Sequence, residues 1–334
     1  MQCIRSGTPS AGKVAVRVKG IIETASGTVH AVRLLRRLRP AAVIGFGGYP
    51  SLPTMLAAVW LRLPTLVHEQ NAVLGRVNRL LASRVTSIGL SFPATDRLSP
   101  DFQPKSEVVG NPVRPEFLEI RSEPYKAPSP DGTVNLLVIG GSQGAAVFAD
   151  TVPRAFALLP YELQKRLRVA QQCRPETLNQ ARELYAAARV QAELAPFFSD
   201  VPRRLAKSHL VICRAGASTV AELRAAGRPA VLVPFPHAVD DHQTANAHMV
   251  AGVGGGWIMP QTEFTPEALA ALVERLLAFP SELEKAAVLC RGEDQPEPAR
   301  ALAALAEQIA APRTQLRPLP PHVTPAAGKG GAEK

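Results

Sequence analysis

The sequence predicts an α/β chain of two units in tandem, each a parallel sheet covered by helices, with a cleft between them. Three observations carry this. Short apolar strand patterns alternate with helical ones along most of the chain, as parallel β-α units do. The alternation breaks once, at the polar, proline-containing stretch EIRSEPYKAPSPDGT (119–133), and then restarts. A length of 334 residues is enough for two ordinary cores. The units therefore fall at 1–118 and 134–311, joined by a linker at 119–133. The Pro-, Gly- and Lys-rich tail, 312–334, reads as disordered.

In the first unit, 41–46 (AAVIGF), 64–68 (PTLVH), 85–90 and 107–109 read as strands, and 52–61 and 75–82 as helices. Segment 31–39 (AVRLLRRLR) reads as a short basic amphipathic helix. Such a helix either lies on an anionic surface or packs its Leu face inward with the arginines exposed. In the second unit, 134–139 (VNLLVI), 167–171, 210–213 and 230–234 read as strands, and 219–226 and 242–251 as helices among others.

Bulk properties narrow the function classes. Apolar content of 46% excludes wholesale disorder, and aromatics at 5% leave the core to Leu, Val and Ala. The formal charge of +10 suits an anionic surface, a phosphorylated substrate or a solvated basic face. Nucleic acid fits poorly, because the basic residues are not interleaved with aromatic ones. The four cysteines form no C-x-x-C pair, so the expectation is free thiols in a reducing compartment. No apolar run is long enough to span a membrane, and the start lacks a signal-peptide pattern, so a cytosolic protein is expected.

Several strand-to-helix turns have the chemistry of ligand sites. Gly140-Gly141-Ser142-Gln143-Gly144 follows VNLLVI and opens a helix, where glycines allow close approach and free N–H groups favour an anion such as a diphosphate. Its spacing is not G-x-G-x-x-G, and a plain β-α turn is the alternative. Arg214-Ala215-Gly216-Ala217-Ser218-Thr219 follows LVIC. There Thr219 and Glu222 either form a capping box or offer a carboxylate to a ribose. Pro234-Phe235-Pro236-His237 and Asp240-Asp241-His242-Gln243 with Asn246 follow AVLV at the ligand-binding end of a strand, although Gln243 and Asn246 also fit a helix surface. No third metal ligand stands at fixed spacing from these acids and histidines, so no metal is expected. In the first unit Gly45-Phe46-Gly47-Gly48-Tyr49, His68-Glu69-Gln70-Asn71 and Gly110-Asn111-Pro112-Val113-Arg114 each follow a strand. HEQN is not a zinc-protease motif, His68 fits a structural histidine, and an arginine at 114 can reach a phosphate. Gly7 to Lys13 has phosphate-loop spacing, but Val14 replaces the required hydroxyl and no strand precedes it.

In this order, GFGGYPS, HEQN, VVGNPVRPEF, LLVIGGSQGA, ICRAGASTVAEL and VPFPHAVDDHQTANA resemble the MurG family of glycosyltransferases over roughly residues 34–276. The resemblance implies two Rossmann-like domains facing each other, the GT-B arrangement. It implies transfer of N-acetylglucosamine, with inversion, from its UDP donor to the C4 hydroxyl of a lipid-linked N-acetylmuramyl peptide, and no cofactor or metal. By the same resemblance Ser142 contacts the donor phosphates, Phe198 lies beside uracil, Ala217, Ser218 and Thr219 line the diphosphate, Glu222 takes the ribose, Gln243 the sugar, and Asn71 and Arg114 close over the donor. An aliphatic residue is common in the family where Phe198 stands. A peripheral place on the cytoplasmic face of an anionic membrane is also implied.

Family members open with a strand and a GGTGGH-type turn whose histidine is a proposed general base, and this sequence shows neither. The expectation is a first sheet short of its initial strand, with the base unassigned and His68 not put in its place. A start placed too late explains this better than a shortened gene, because a split parallel sheet exposes an unpaired edge. Two other readings stay open: another UDP-sugar enzyme of the same fold, which HEQN and GNPVR disfavour, and a sugar-nucleotide-binding module without turnover.

Overall fold

A computed structural model describes residues 3–4, 6–7, 14–141, 145–292 and 297–311. Ser142, most of the phosphate-loop look-alike (8–13) and the 312–334 tail lie outside the described residues.

The first unit begins with α1 (Val14–Leu38) and continues β1 (Val43–Gly45), α2 (Gly48–Trp60), β2 (Thr65–Glu69), α3 (Arg76–Ala82), β3 (Ser87–Leu90), a 3-10 turn (Pro100–Lys105), β4 (Ser106–Val108) and α4 (Pro115–Glu119). Its four strands pair in parallel in the order β1-β2-β3-β4. Then follow β5 (Val134–Ile139), α5 (Ala146–Ala157), α6 (Tyr161–Arg166), β6 (Leu167–Gln172), α7 (Leu178–Ala187), β7 (Gln191–Ala195), α8 (Val201–Lys207), β8 (Leu210–Cys213), α9 (Ala217–Ala226), β9 (Ala230–Leu232), α10 (His242–Ala251), β10 (Gly256–Ile258), α11 (Pro266–Ala278), α12 (Pro280–Arg291) and α13 (Pro298–Ala310). The second sheet is parallel throughout, in the order β10-β9-β8-β5-β6-β7.

Period-2 side-chain alternation explains why both faces of the second sheet are covered. Val134, Leu136 and Val138 of β5, with Leu210 and Ile212 of β8, join the core under α5, α7 and α11. The intervening Leu137, Val211 and Cys213 join the opposite core under α8, α9 and α10. The first sheet is built likewise. Val43, Val67, Ile88 and Leu90 pack against α1, α2 and α3, while Leu66 and Val109 pack against Leu302 and Leu305 of α13. The last helix, counted with the second unit by sequence, thus covers the first sheet.

Four local readings need correction. The basic helix at 31–39 is only the end of the 25-residue α1. Gly20, Thr24, Gly27, Ala31, Val32 and Leu35 line its buried face, and the small residues let it approach α2 closely, so the inward packing of its Leu face is the arrangement found. Helix α2 starts at Gly48 rather than at 52, despite Pro53 inside it. Proline has no N–H for the carbonyl four residues earlier, and that carbonyl, of Tyr49, instead accepts from the Ser6 hydroxyl at 2.7 Å. Strands β7 and β10 are absent from the sequence reading because their segments (QAELA, GWI) carry no apolar run; both lie at the edges of the second sheet. Finally, α9 begins at Ala217 with Gly216 as its cap, which places Thr219 inside the helix, so the capping box does not form. The 119–133 segment packs on the second unit: Ile120 is buried in its core and the Tyr125 hydroxyl donates to the His209 carbonyl at 2.8 Å.

Truncating Leu302 to Ala should therefore weaken the first sheet although the residue lies far along the chain. The expected loss is about 2–4 kcal/mol by urea unfolding. Faster amide exchange should appear in β2 and β3 rather than in β5 and β8.

Candidate functional site

In the second sheet the strand order reverses direction between β5 and β8, and a parallel sheet opens a crevice where its strand order turns. The turns after β5, β8 and β9 meet there. With the loop after β2 they enclose a cleft of about 840 Å³. Gly140 and Gly141 line it from the first turn, Gly216, Ala217, Ser218 and Thr219 from the second, Phe235 and His237 from the third, and Gln70 and Asn71 from the first unit. Gly141 has φ +79°, a conformation costly for a residue with a Cβ, and open space where a side chain would stand. Helix α9 starts without any side-chain cap, so the N–H groups of its first turn face the cleft unclaimed by a cap.

The first-unit wall is held by one buried carboxylate. Glu69 accepts from the Asn71 backbone N–H (3.0 Å) and side-chain amide (3.1 Å) through Oε1, and from Gly75 N–H and Asn78 Nδ2 (both 2.8 Å) through Oε2. At 3% exposure it is one of the most buried charged groups of the chain, and these four donors are what make its burial tolerable. They fix the HEQN loop and aim Asn71 into the cleft. Asn246 then ties that loop to the second unit. Its Oδ1 accepts from Ala72 N–H at 2.8 Å, and its Nδ2 donates to Asn71 Oδ1 and to the Ala215 carbonyl, both at 3.1 Å. Far from being a helix-surface residue, Asn246 is fully buried. Asn246, Ala247 and Val250 share the inward stripe of α10, and an asparagine at that spacing is the signal the sequence did hold.

On the second-unit side Gln243 accepts from Phe235 N–H at 2.9 Å through Oε1, which leaves its amide hydrogens for a ligand. Arg214, which the sequence placed only as part of a turn, organises this wall. It lies between the rings of Phe148 and Phe235, with centroids 5.2 and 5.4 Å away. It donates to the carbonyls of Val233 and Pro234 and to Gln261 Oε1. Glu222, one turn along α9 from Ser218, is mostly buried and 4.0 Å from the Arg114 guanidinium. Burial pushes its carboxyl up to about 7, against the opposing pull of Arg114. Phe198 stands apart: its ring is buried beneath the Arg204 guanidinium at 4.0 Å and does not line the cleft.

His68 is a structural residue in this geometry. It is fully buried, its Nε2 donates to the Gly110 carbonyl at 2.9 Å, and its ring meets Phe46 edge-on. Burial lowers its pKa from the ordinary histidine value, against the opposing Gly110 hydrogen bond and Glu69 charge, and the side chain ties β2 to the GNPVR loop. A second cavity, of about 470 Å³, opens beside the cleft between the Phe46–Pro50 turn, Asn71, Arg76 and Asp240.

Comparison with known proteins gives a consistent result. Residues 9–90 match the glycosyltransferase family 28 N-terminal domain and residues 135–293 its C-terminal domain. A UDP-N-acetylglucosamine–N-acetylmuramyl-(pentapeptide) pyrophosphoryl-undecaprenol N-acetylglucosamine transferase of Rhodospirillum centenum is 54% identical over 300 residues, which is 90% of this chain and 79% of the relative. The crystal structure of Acinetobacter baumannii MurG superposes with a TM-score of 0.72 at 34% identity, covering 86% of this chain and 80% of that one. A UDP-N-acetylglucosamine 2-epimerase structure shares the fold alone, with a TM-score of 0.57 at 13% identity over 89% of this chain and 78% of that one.

Glu222 supplies a pH test. Its folded pKa, about 7, lies above the usual 4.5, so the folded chain holds this proton more tightly than the unfolded chain. The associated stability is fully present below pH 4.5 and is lost as the pH rises from there through about 7. Replacing Glu222 by Gln should flatten that part of the pH–stability curve measured by urea unfolding; a slope unchanged by the substitution would contradict the assignment.

Proposed function

The chain belongs to the MurG family of glycosyltransferase family 28, and on that premise we propose how its cleft carries out the family's reaction. The reaction moves N-acetylglucosamine from UDP-N-acetylglucosamine to N-acetylmuramyl-(pentapeptide) pyrophosphoryl-undecaprenol in peptidoglycan synthesis. The observation that carries the assignment of residues is the meeting of the Ala217–Thr219 turn, Gln243 and Asn71 around one cleft at the sheet's switch point.

In this reading the donor diphosphate lies on the starts of α5 and α9, whose uncapped N–H groups and dipoles favour negative charge. Ser142, next to Gly141 in the sequence, takes a phosphate oxygen in this reading. Glu222 accepts hydrogen bonds from the ribose hydroxyls, and Arg114 holds its carboxylate. Uracil reaches the loop of Phe198 through that loop's backbone, since the Phe198 ring is engaged with Arg204. Gln243 and Asn71 hold the sugar from opposite walls. The acceptor enters by the neighbouring cavity at the Phe46–Pro50 turn, which shares Gln70 and Asn71 with the donor cleft.

The acceptor C4 hydroxyl oxygen then attacks the anomeric carbon from the face opposite the UDP group and gives up its proton to water. The bond from that carbon to the phosphate oxygen breaks, and UDP leaves as an anion. Helix starts aimed at the diphosphate, with Arg114 nearby, lower the energy of that leaving charge as it develops. His68 does not take the C4 proton, because it is buried and its Nε2 is committed to Gly110.

The acceptor is a lipid, and the structure offers a matching surface. Among the described residues no helix is long and apolar enough to cross a membrane. Instead Arg33, Arg36, Arg37 and Arg39 are exposed along the end of α1, Leu38 is exposed beside them, and Arg36 lies over the exposed ring of Trp60 at 5.7 Å. Arginines with an aromatic and a leucine suit the headgroup level of an anionic membrane. We infer a peripheral contact there, on the cytoplasmic face. Binding to vesicles that is indifferent to their anionic lipid content would refute it.

Transfer of radiolabelled N-acetylglucosamine to a lipid-linked muramyl peptide analogue tests the function directly. Labelled product is expected, whereas UDP-N-acetylglucosamine binding without product would favour a binding module. Gln243→Ala should raise the donor KM roughly tenfold, the loss of one buried ligand hydrogen bond. Donor affinity should weaken as the pH falls below about 7, where Glu222 takes up a proton and loses its capacity to accept from both ribose hydroxyls.

A further inference from the structure

Helix α10 carries Gln243 and is attached to the first unit at two places. One is the buried Asn246 amide. The other is Asp240, just before the helix begins. Its Oδ1 lies 2.8 Å from Arg97 Nη1, and its Oδ2 lies 2.9 Å from Arg79 Nη2 and 3.6 Å from Arg76 Nε. All three arginines belong to the first unit. Burial alone would raise the Asp240 pKa, but the Arg97 hydrogen bond and the charges of Arg79, Arg97 and Arg76 outweigh it and hold the pKa low.

This differs from an ordinary surface ion pair in three respects. Both carboxylate oxygens are engaged, and one side chain serves three guanidiniums, so its ordering is shared among the contacts. The Asp240 side chain is only 15% exposed, which limits screening. The backbone on both sides of the cleft bends into the left-handed region to make the contact: φ is +57° at Asp240, +52° at Asp241 and +63° at Arg97. Such conformations are unfavourable for residues with a Cβ and persist where surrounding contacts hold them.

We propose that Asp240 is a positioning residue for donor binding. Its carboxylate, clasped by Arg76, Arg79 and Arg97, latches the start of α10 to the first unit and so sets the separation of Gln243 and Asn71 across the cleft. Asn246, one turn beyond Gln243, holds the same helix from its other side, so Gln243 lies between two fixed points. Releasing Asp240 frees the end of α10 nearer to the Pro234–Val239 loop, and Gln243 with it. The role in binding rests on reading the cleft as the donor site; the latch itself does not.

Hydrogen exchange followed by mass spectrometry on the full chain, without substrate, tests the latch. Asp240→Asn should speed exchange in segments 70–80 and 236–247 by roughly tenfold, and leave β5 and β8 unchanged, as local opening does. Asp240→Glu should retain much of the protection. Wild-type protein in about 0.5 M salt should move only part of the way toward the Asp240→Asn pattern, because Arg76 and Arg97 are about half exposed while Asp240 is shielded. If Asp240→Asn does not fold, Arg97→Ala and Arg79→Ala open the latch from its other side and should give the same local pattern. Wild-type-like exchange in these variants, or faster exchange everywhere, would overturn the latch. In turnover, Asp240→Asn should raise the donor KM several-fold, and Asp240→Glu should recover most of that loss. Local opening with an unchanged donor KM would overturn the positioning role. Failure of the wild-type chain to bind UDP-N-acetylglucosamine would count against the donor reading and not against the latch.

Discussion

The amide of Asn246 ties the two walls of the cleft to each other. It reaches Ala72 and Asn71 on one side and Ala215 on the other, and it is out of contact with water. A buried amide left without partners is costly, so the two units are held to the one relative placement that satisfies all three bonds. Asn71 stands opposite the α9 turn because of that placement. Glu69 contributes the rigidity behind it, since its four accepted hydrogen bonds leave the HEQN loop little freedom.

Charge is distributed in keeping with this. The walls that would meet a diphosphate are built from helix starts and backbone N–H groups, while several nearby arginines are already occupied. Arg214 is spent on carbonyls and Gln261, Arg114 on Glu222 and the ring of Phe117, and Arg79 and Arg97 on Asp240. In the proposed reading a leaving UDP would meet dipoles that are in place before the substrate arrives and need no rearrangement as charge develops. The exposed arginines of α1 lie elsewhere, on a surface suited to a lipid rather than to the nucleotide.

The connection of the two units is more extensive than one linker. Residues 119–133 run back along the second unit through Ile120 and Tyr125, and α13 returns to cover the first sheet through Leu302 and Leu305. The chain thus passes between the two units twice, and Asp240 and Asn246 add side-chain contacts across the cleft on the α10 side.

Much of this was legible in the residues alone. The alternation of apolar strands with helices determined two parallel sheets, because the period of the side chains decides which faces must be buried. The glycine-rich turns and the order of the motifs located the ligand-binding strand ends and the family. Sequence could not show partners that come from afar. Thr219 and Glu222 have capping-box spacing, yet the helix starts two residues earlier; His68 reads as a structural histidine, but its partner, the Gly110 carbonyl, comes from 42 positions along the chain. The edge strands β7 and β10 carry no apolar pattern, and only pairing reveals them. Asn246, Arg214 and Asp240 look like ordinary polar residues until the fold brings each against groups up to 175 positions away. Composition and periodicity act locally along the chain, whereas the desolvation and ion pairing that give these three their roles exist only once the two sheets face each other.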